Sequence, residues 1–301
     1  MPAPSPHCFR HDAMATYFEV RISGVEKSYA QQAAQAVFAV VDRLESLLSR
    51  FQETSEVSQI NRLKPGETVR LSPDTFDCLT YALELQTITR GAFDPGLGDW
   101  IEFWTKPKQP NIAVAEPGPR GRLLIDEEAM MVGVEDAPVS IDLGAIGKGY
   151  ALDRATEALA DWDITRALLI AGGSSLLALD SPEGDLGWEV GIGGERNTHR
   201  LFLKNKALGS SGTAVKGAHI LDPRTHRPAD GARRTWAVAP SAAAADAFST
   251  AWMLLSPEDI SEICSGLSDT GAIVQRNPGD RELWQCGLPH NISFGPIEPK
   301  P

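Results

Sequence analysis

The chain has 301 residues and a formal net charge of -12, with 42% hydrophobic and 23% charged residues. That acidic balance excludes a general nucleic-acid binder or a binder of anionic membranes, and leaves room for a local anion site. Four scattered cysteines, Cys8, Cys78, Cys264 and Cys286, form no CxxC pair, which argues against a zinc site or a disulfide framework, and no apolar run approaches a membrane span.

Residues 1–12 read as a flexible tail, 13–295 as a single domain and 296–301 as a Pro-rich tail. The opening MPAPSPHCFRHDAMATY has no hydrophobic stretch of the secretory kind, so the expected location is cytoplasmic unless a leader has been removed. Thr16 to Ser23 alternates, with Phe18, Val20 and Ile22 on one face, as a half-buried strand does. Ser28 to Arg50 carries Ala33, Val37, Val40, Val41, Leu44, Leu47 and Leu48 at helical spacing. A brief helix is expected within 55–63, and Ser72-Pro73 opens another that runs to about Thr89.

Gly91 to Trp104 is rich in glycine and aromatics and should break that helix. Residues 105–120 form a Pro-rich surface loop, and 121–136 fits either a hairpin or a helix–strand mixture. Val139 to Leu143 alternates like a strand end, and a helix follows with Ala151, Leu152, Ala155 and Leu159 on one face. Further strands are expected at Ala167–Ala171, Trp188–Ile192, Thr235–Pro240, 271–275 and 283–286, with a hairpin over 201–210. Helices are expected over 242–255 and 257–267. Helices and strands mix without strict βαβ alternation, which predicts an α+β fold with mixed β-sheets flanked by helices.

Four stretches have residue types suited to chemistry. Ser140 to Ala155, SIDLGAIGKGYALDRA, places Lys148 among Gly144, Gly147 and Gly149 at a helix start. Such a turn can cradle an anion on backbone N–H groups, or can be simply a tight strand-to-helix connection. Its spacing is neither that of a P-loop nor that of the dinucleotide fingerprint. Asp246 and Thr250 stand four apart on a helix, so both oxygens face one way. They suit a hard cation such as Mg²⁺, or else a helix acid and a back-bonding threonine. The loop HILDPRT brings His219, Asp222 and Arg224 together, either for phosphate oxygens or as a polar turn. Gly91 to Pro95 and the pair Gly172-Gly173 allow close approach of backbone to a ligand, or serve as ordinary turns.

Taken in order, the segments MATYFEVRISG, LLSRFQETSEVSQINRL, GAFDPGLG, IDLGAIGKGYALDRA, LLIAGGSSLLALD, SSGT, HILDPRT and ADAFSTAW resemble the ApbE family, the FAD:protein FMN transferases. They cover nearly the whole chain. The resemblance implies an enzyme that binds FAD with Mg²⁺ and moves FMN to a Thr or Ser hydroxyl of an acceptor protein, releasing AMP. It implies an acceptor site of the Ser/Thr-Gly-Ala-Thr kind. Residue by residue, it implies metal binding by Asp246, Thr250 and the carbonyl of Ala145. It also implies FAD contacts from Met14, Phe51, Asp94, Lys148, Gly172 and Gly173, and catalytic roles for His219, beside the diphosphate, and Asp246.

The chain departs from the family pattern at Ala15, Gly96 and His226, where the family has Gly, Thr and Gly. Between Ser211-Gly212 and His219 the loop is shortened. The shortened loop keeps an FAD hydrolase giving FMN and AMP in view as an alternative; a third reading is a non-catalytic FAD-binding paralogue, against which the retained Asp246, Thr250 and His219 argue.

Overall fold

The structure, a computed structural model, describes residues 5–106, 115–193, 199–213, 220–229, 234–277, 280, 282–290 and 292–296. Its strands are β1 (His7–Ala13), β2 (Thr16–Ile22), β3 (Thr68–Arg70), β4 (Arg122–Asp126), β5 (Met131–Glu135), β6 (Ala167–Ala171), β7 (Ser175–Ala178) and β8 (Trp188–Ile192). There follow β9 (His199–Leu203), β10 (Lys206–Gly212), β11 (Leu221–Asp222), β12 (Arg227–Pro228), β13 (Arg234–Ala239), β14 (Gly271–Gln275), β15 (Trp284–Cys286) and β16 (Ser293–Pro296). The helices are α1 (Lys27–Leu48), α2 (Glu56–Ile60), α3 (Pro73–Ile88), α4 (Gly98–Thr105), α5 (Gly147–Ala160), α6 (Ala242–Ala251) and α7 (Pro257–Ser265).

An eight-stranded sheet of order β1-β2-β6-β7-β10-β13-β14-β15 forms the centre. Its inner strands are covered on both faces. Leu169, Ala207, Ala237, Ala239, Ala272 and Val274 join the core shared with the helices. Their neighbours Leu168, Leu208, Trp236, Val238 and Ile273 pack with Trp188, Ile192, Leu201 and Leu203 of the small sheet β16-β9-β8. Burial on two faces is why these strands read as unbroken apolar runs rather than alternations.

The helix layer follows the sequence periods. Ala30, Ala33, Ala34, Val37, Val41, Leu44 and Leu48 form the buried stripe of α1. Ala151, Leu152, Ala155 and Leu159 do the same in α5. Helix α6, AAAADAFSTA, is buried almost throughout. It fits because two glycines bring main chain against main chain: a Cβ on Gly149 would lie 2.0 Å from Ala242 O, and one on Gly209 2.1 Å from Ala245 O. The start of α6 is capped twice. Ser241 Oγ accepts from Ala244 N at 3.1 Å. The Asp153 carboxylate accepts from Ala242 N at 2.7 Å and Ala243 N at 2.9 Å.

Burial pushes the Asp153 carboxyl up to about 6, against the pull of those two N–H groups. The folded chain therefore holds this proton more tightly than the unfolded chain. Its contribution to stability is complete below about pH 4 and is lost as pH rises toward 6. Asp153→Asn lacks this titration, so the melting temperature of the wild type relative to the variant is expected to fall between pH 4 and pH 7. Parallel thermal melts across that range are the check.

The α+β class is as the sequence indicated, and several details differ. Every strand pair among the described residues is antiparallel, not mixed. The flexible tail expected over 1–12 is strand from His7 onward: β1 pairs along its whole length with β2. No burial pattern marks it in the sequence, because it is an edge strand with polar residues among its side chains, ordered by the ladder more than by burial. At the other end, Pro296 falls inside β16, and 297–301 lie outside the described residues.

Residues 98–105, within the stretch expected only to break the preceding helix, form α4. Trp100 stacks on His226 with ring centroids 4.4 Å apart, and Trp104 Nε1 donates to His226 O at 2.8 Å, so tertiary packing outweighs the local glycines. In the stretch 139–143 Val139, Ile141 and Leu143 are buried in alternation, but it is not a strand. Instead the Asn61 side chain takes the place of a neighbouring strand at Ile141, accepting from its N at 2.6 Å and donating to its O at 2.9 Å. The expected hairpin over 201–210 is absent too: β9 pairs with β8 and β16, whereas β10 pairs with β7 and β13. Residues 121–136 resolve as the hairpin β4–β5.

Met14 and Ala15 join β1 to β2 with φ of 51° and 55°. A two-residue turn with both residues left-handed matches the strand twist but disfavours side chains, by about 1 kcal/mol each. Ala15→Gly is expected to raise stability by up to about 1 kcal/mol, less the entropy glycine adds to the unfolded chain. A denaturant titration reads the change directly.

Candidate active site

A cavity of about 800 Å³ opens at one end of the central strands. There the β1–β2 turn, the β6–β7 turn, the end of β10 and the start of β13 come together. Its opposite walls are the loop before α4 and the glycine-rich turn that leads into α5. Strand ends and turns can carry different side chains without disturbing the sheet beneath them, so such a place suits a ligand.

Asp246 stands on this cavity's inner wall and is only 4% exposed. Its Oδ1 accepts from Ser175 Oγ at 2.6 Å and its Oδ2 from Gly149 N at 2.9 Å. Lys148 Nζ lies 3.6 Å from Oδ2. Burial pushes the Asp246 carboxyl up, while Lys148, the Ser175 hydroxyl and the Gly149 N–H pull it back. One helical turn on, Thr250 Oγ1 lies 3.2 Å from Asp246 O and 3.3 Å from Ser211 Oγ. Ser211 Oγ is also 2.9 Å from Ser249 Oγ, so a row of hydroxyls faces the cavity beside the acid.

Two further carboxylates border the cavity, and each is held in the same manner. Asp94 Oδ1 accepts from Gly96 N at 2.7 Å and its Oδ2 pairs with Arg120. Asp142 Oδ1 accepts from Gly144 N at 2.7 Å and its Oδ2 pairs with Arg50 Nη1 at 3.0 Å. Both are Asp-x-Gly turns whose second oxygen answers an arginine. Asp142 N donates to Pro95 O at 2.8 Å, which ties the two turns side by side. Gly172 sits at φ 59°, and a Cβ there would meet Thr16 Oγ1 at 2.5 Å, so only glycine suits this part of the wall.

Of the residues singled out in the sequence, Met14, Asp94, Ala145, Lys148, Gly172, Gly173, Asp246 and Thr250 all border this cavity. Phe51 does not: its side chain is 85% exposed, with the Arg50 guanidinium 5.4 Å from its ring centroid. The residue before it, Arg50, is the buried one. His219 lies outside the described residues. Arg224 is turned away from the cavity, bonded through Nε and Nη2 to Asp222 and through Nη2 to Leu254 O. That pairing holds the Asp222 carboxyl below its usual range. The cavity also includes Asp142, Arg234, Trp236 and Ser211. Asp142 stood within the glycine-rich stretch and could have been found there. Arg234 belongs to no motif, and only its spacing from Trp236 on β13 places the two on one side.

The chemistry available is that of an anion pocket with one buried acid. Lys148 and Arg234 supply positive charge, and the glycine turns expose backbone N–H groups. Ala145, Asp246 and Thr250 border the same space, which brings a backbone amide, a carboxylate and a hydroxyl together there. Among the described residues no three His, Cys, Asp or Glu gather into a ligand cluster. A set with one carboxylate and neutral oxygens suits a hard cation that completes its shell with water and phosphate.

Residues 14–274 match the model of the ApbE family. A Klebsiella pneumoniae FAD:protein FMN transferase is 24% identical over 290 residues, covering 87% of this chain and 82% of the relative. An Escherichia coli K12 protein of the same name is 24% identical over 276 residues, covering 83% and 78%. Among solved structures, the flavin transferase ApbE from Vibrio cholerae superposes with a TM-score of 0.80 at 19% identity, over 95% of this chain and 98% of that one. The ApbE protein of Thermotoga maritima superposes with a TM-score of 0.74 at 27% identity, over 90% and 97%.

Proposed function

The chain belongs to the ApbE family, and from that premise we propose that it transfers FMN from FAD to a Ser or Thr hydroxyl of an acceptor protein, releasing AMP. The names of its relatives support flavin transfer. The observation that carries the reading is Asp246, a buried carboxylate gripped by Gly149, Ser175 and Lys148 on the wall of a cavity of dinucleotide size. A desolvated acid on the wall of a ligand cavity is costly to keep, and a role in turnover accounts for it.

In the proposed reaction the acceptor oxygen attacks the phosphorus on the riboflavin side of the diphosphate. The bond from that phosphorus to the bridging oxygen breaks, and AMP leaves with the oxygen. Lys148, 3.6 Å from Asp246, offsets negative charge as it develops on the phosphate oxygens. A carboxylate of the site, Asp246 or one close to it, takes the acceptor proton. The glycines at 172 and 173 let backbone approach the flavin, and Met14 caps the adenine end. Asp94 borders the same site. A Mg²⁺ ion held by Asp246, Thr250 and the Ala145 carbonyl would neutralise the bound diphosphate. His219 is proposed, from the family pattern, to stand near the diphosphate.

The test is incubation with FAD and Mg²⁺, with and without a peptide carrying Ser-Gly-Ala-Thr, following AMP, FMN and peptide mass. AMP with a peptide gaining the mass of FMN is expected. AMP with free FMN and an unmodified peptide points instead to hydrolysis, and FAD bound but left intact to a binding protein. Among the described residues no helix is long and apolar enough to cross a membrane.

A further inference from the structure

We propose that Arg50 is a positioning residue that ties together two walls of the cavity and thereby sets its affinity for FAD and for the divalent cation. This rests on reading the cavity as an FAD site. Arg50 follows the end of α1, and its side chain is only 10% exposed. Nη1 donates to Gly98 O at 2.8 Å and to Asp142 Oδ2 at 3.0 Å, and Nη2 donates to Glu102 Oε2 at 3.0 Å. Gly98 and Glu102 belong to α4, whose turn and first residues give the cavity Leu97 and Ile101. Asp142 shapes the turn that gives it Gly144, Ala145 and Lys148. One planar guanidinium thus spans both walls, as only a rigid fork of donors can.

The surroundings are built to admit that fork. A Cβ on Gly98 would lie 2.9 Å from Arg50 Nη1 and 2.5 Å from Ser140 Oγ, so the position has no room for a side chain. Gly98 N donates to Ser140 O at 2.9 Å, and Asn61 grips Ile141 on both sides of its peptide group. Residues 140–142 are therefore anchored from Asn61 at one end and from Arg50 at the other. Arg50 itself does not border the cavity, so its effect passes through Asp142 and α4. The same helix provides a comparison: Arg43 pairs with the buried Asp74, and neither borders the cavity.

The test is equilibrium FAD binding by flavin fluorescence over a series of Mg²⁺ concentrations, well below the melting temperature of every variant. Arg50→Met is expected to weaken FAD binding about tenfold or more and to raise the Mg²⁺ needed for half-effect, the size of loss seen when a residue behind a ligand is removed. Arg50→Lys should recover part of the loss. Asp142→Asn should resemble Arg50→Met, and the double variant should be little worse than either, because the two act as one unit. Arg43→Met should lower the melting temperature and leave FAD affinity unchanged. Wild-type affinity in Arg50→Met, or fully additive losses in the double variant, overturns the inference while the cavity reading stands. A wild-type chain that does not bind FAD overturns both.

Discussion

Asp246→Asn is expected to abolish metal-dependent cleavage of FAD while leaving measurable FAD binding. The amide keeps the shape of the side chain, and its oxygen can still accept from Gly149 N or from Ser175 Oγ, though not from both as the carboxylate does. What disappears is the charge. Lys148 then loses its partner at 3.6 Å, the oxygen proposed to bind the cation is weakened, and no carboxylate remains at this position to take a proton. A loss of about 10³-fold or more in AMP release follows, equivalent to about 4 kcal/mol of transition-state stabilisation. FAD affinity should change by no more than about tenfold, since most of the cavity wall is untouched. Chromatography of AMP and flavin fluorescence measure the two quantities separately. Full activity in this variant would remove Asp246 from both of its proposed roles.

Gly149→Ala is expected to be the more damaging change to the fold. The added methyl would stand 2.0 Å from Ala242 O, 2.3 Å from Ala242 C and 2.6 Å from Ala243 N. All three are backbone atoms of the capped first turn of α6, so no side chain can swing aside. Helix α5 must retreat from α6, which disturbs the bond from Gly149 N to Asp246 and the two from Ala242 and Ala243 to Asp153. Overpacking of this kind costs about 3 kcal/mol or more when backbone has to move. In a urea titration the midpoint should fall sharply, and activity at low temperature should fall with it. A variant as stable as the wild type would show that the two helices are not in such close contact.

Much of this was legible in the sequence where one physical rule acted alone. The stripe of α1 and the face of α5 followed the helical period because each packs one side on the core. Asp246 and Thr250 were legible as a pair because four residues on a helix put them on one side. The failures have their own causes. β1 carries its polar residues at the sheet edge, where hydrogen bonding rather than burial defines it. α4 depends on Trp100 and Trp104 meeting His226, which lies far along the chain. Ile141 finds its hydrogen bonds on the side chain of Asn61, a substitute for a strand that no periodicity can report. Phe51 drew attention as an aromatic, whereas the structure buries Arg50 beside it and leaves the ring in solvent. Arg234 is the second of two adjacent arginines, and nothing in the sequence around it distinguishes it from a solvated cation.

The cavity draws its walls from residues as far apart as Met14 and Thr250. During synthesis the acid at 246 is made after six of the eight strands of the central sheet, so a nascent chain halted before α6 lacks one wall of the cavity. The same dispersal works in reverse once the chain is whole. A dinucleotide filling the cavity would touch the first hairpin, the central strands and α6 at once, and so would oppose unfolding of all of them together. At a free concentration of one hundred times its dissociation constant it would add about 2.7 kcal/mol to the stability of the native state. FAD would then be substrate and folding clamp in one molecule, and the cell's flavin supply would set how long the protein lasts as well as how fast it works.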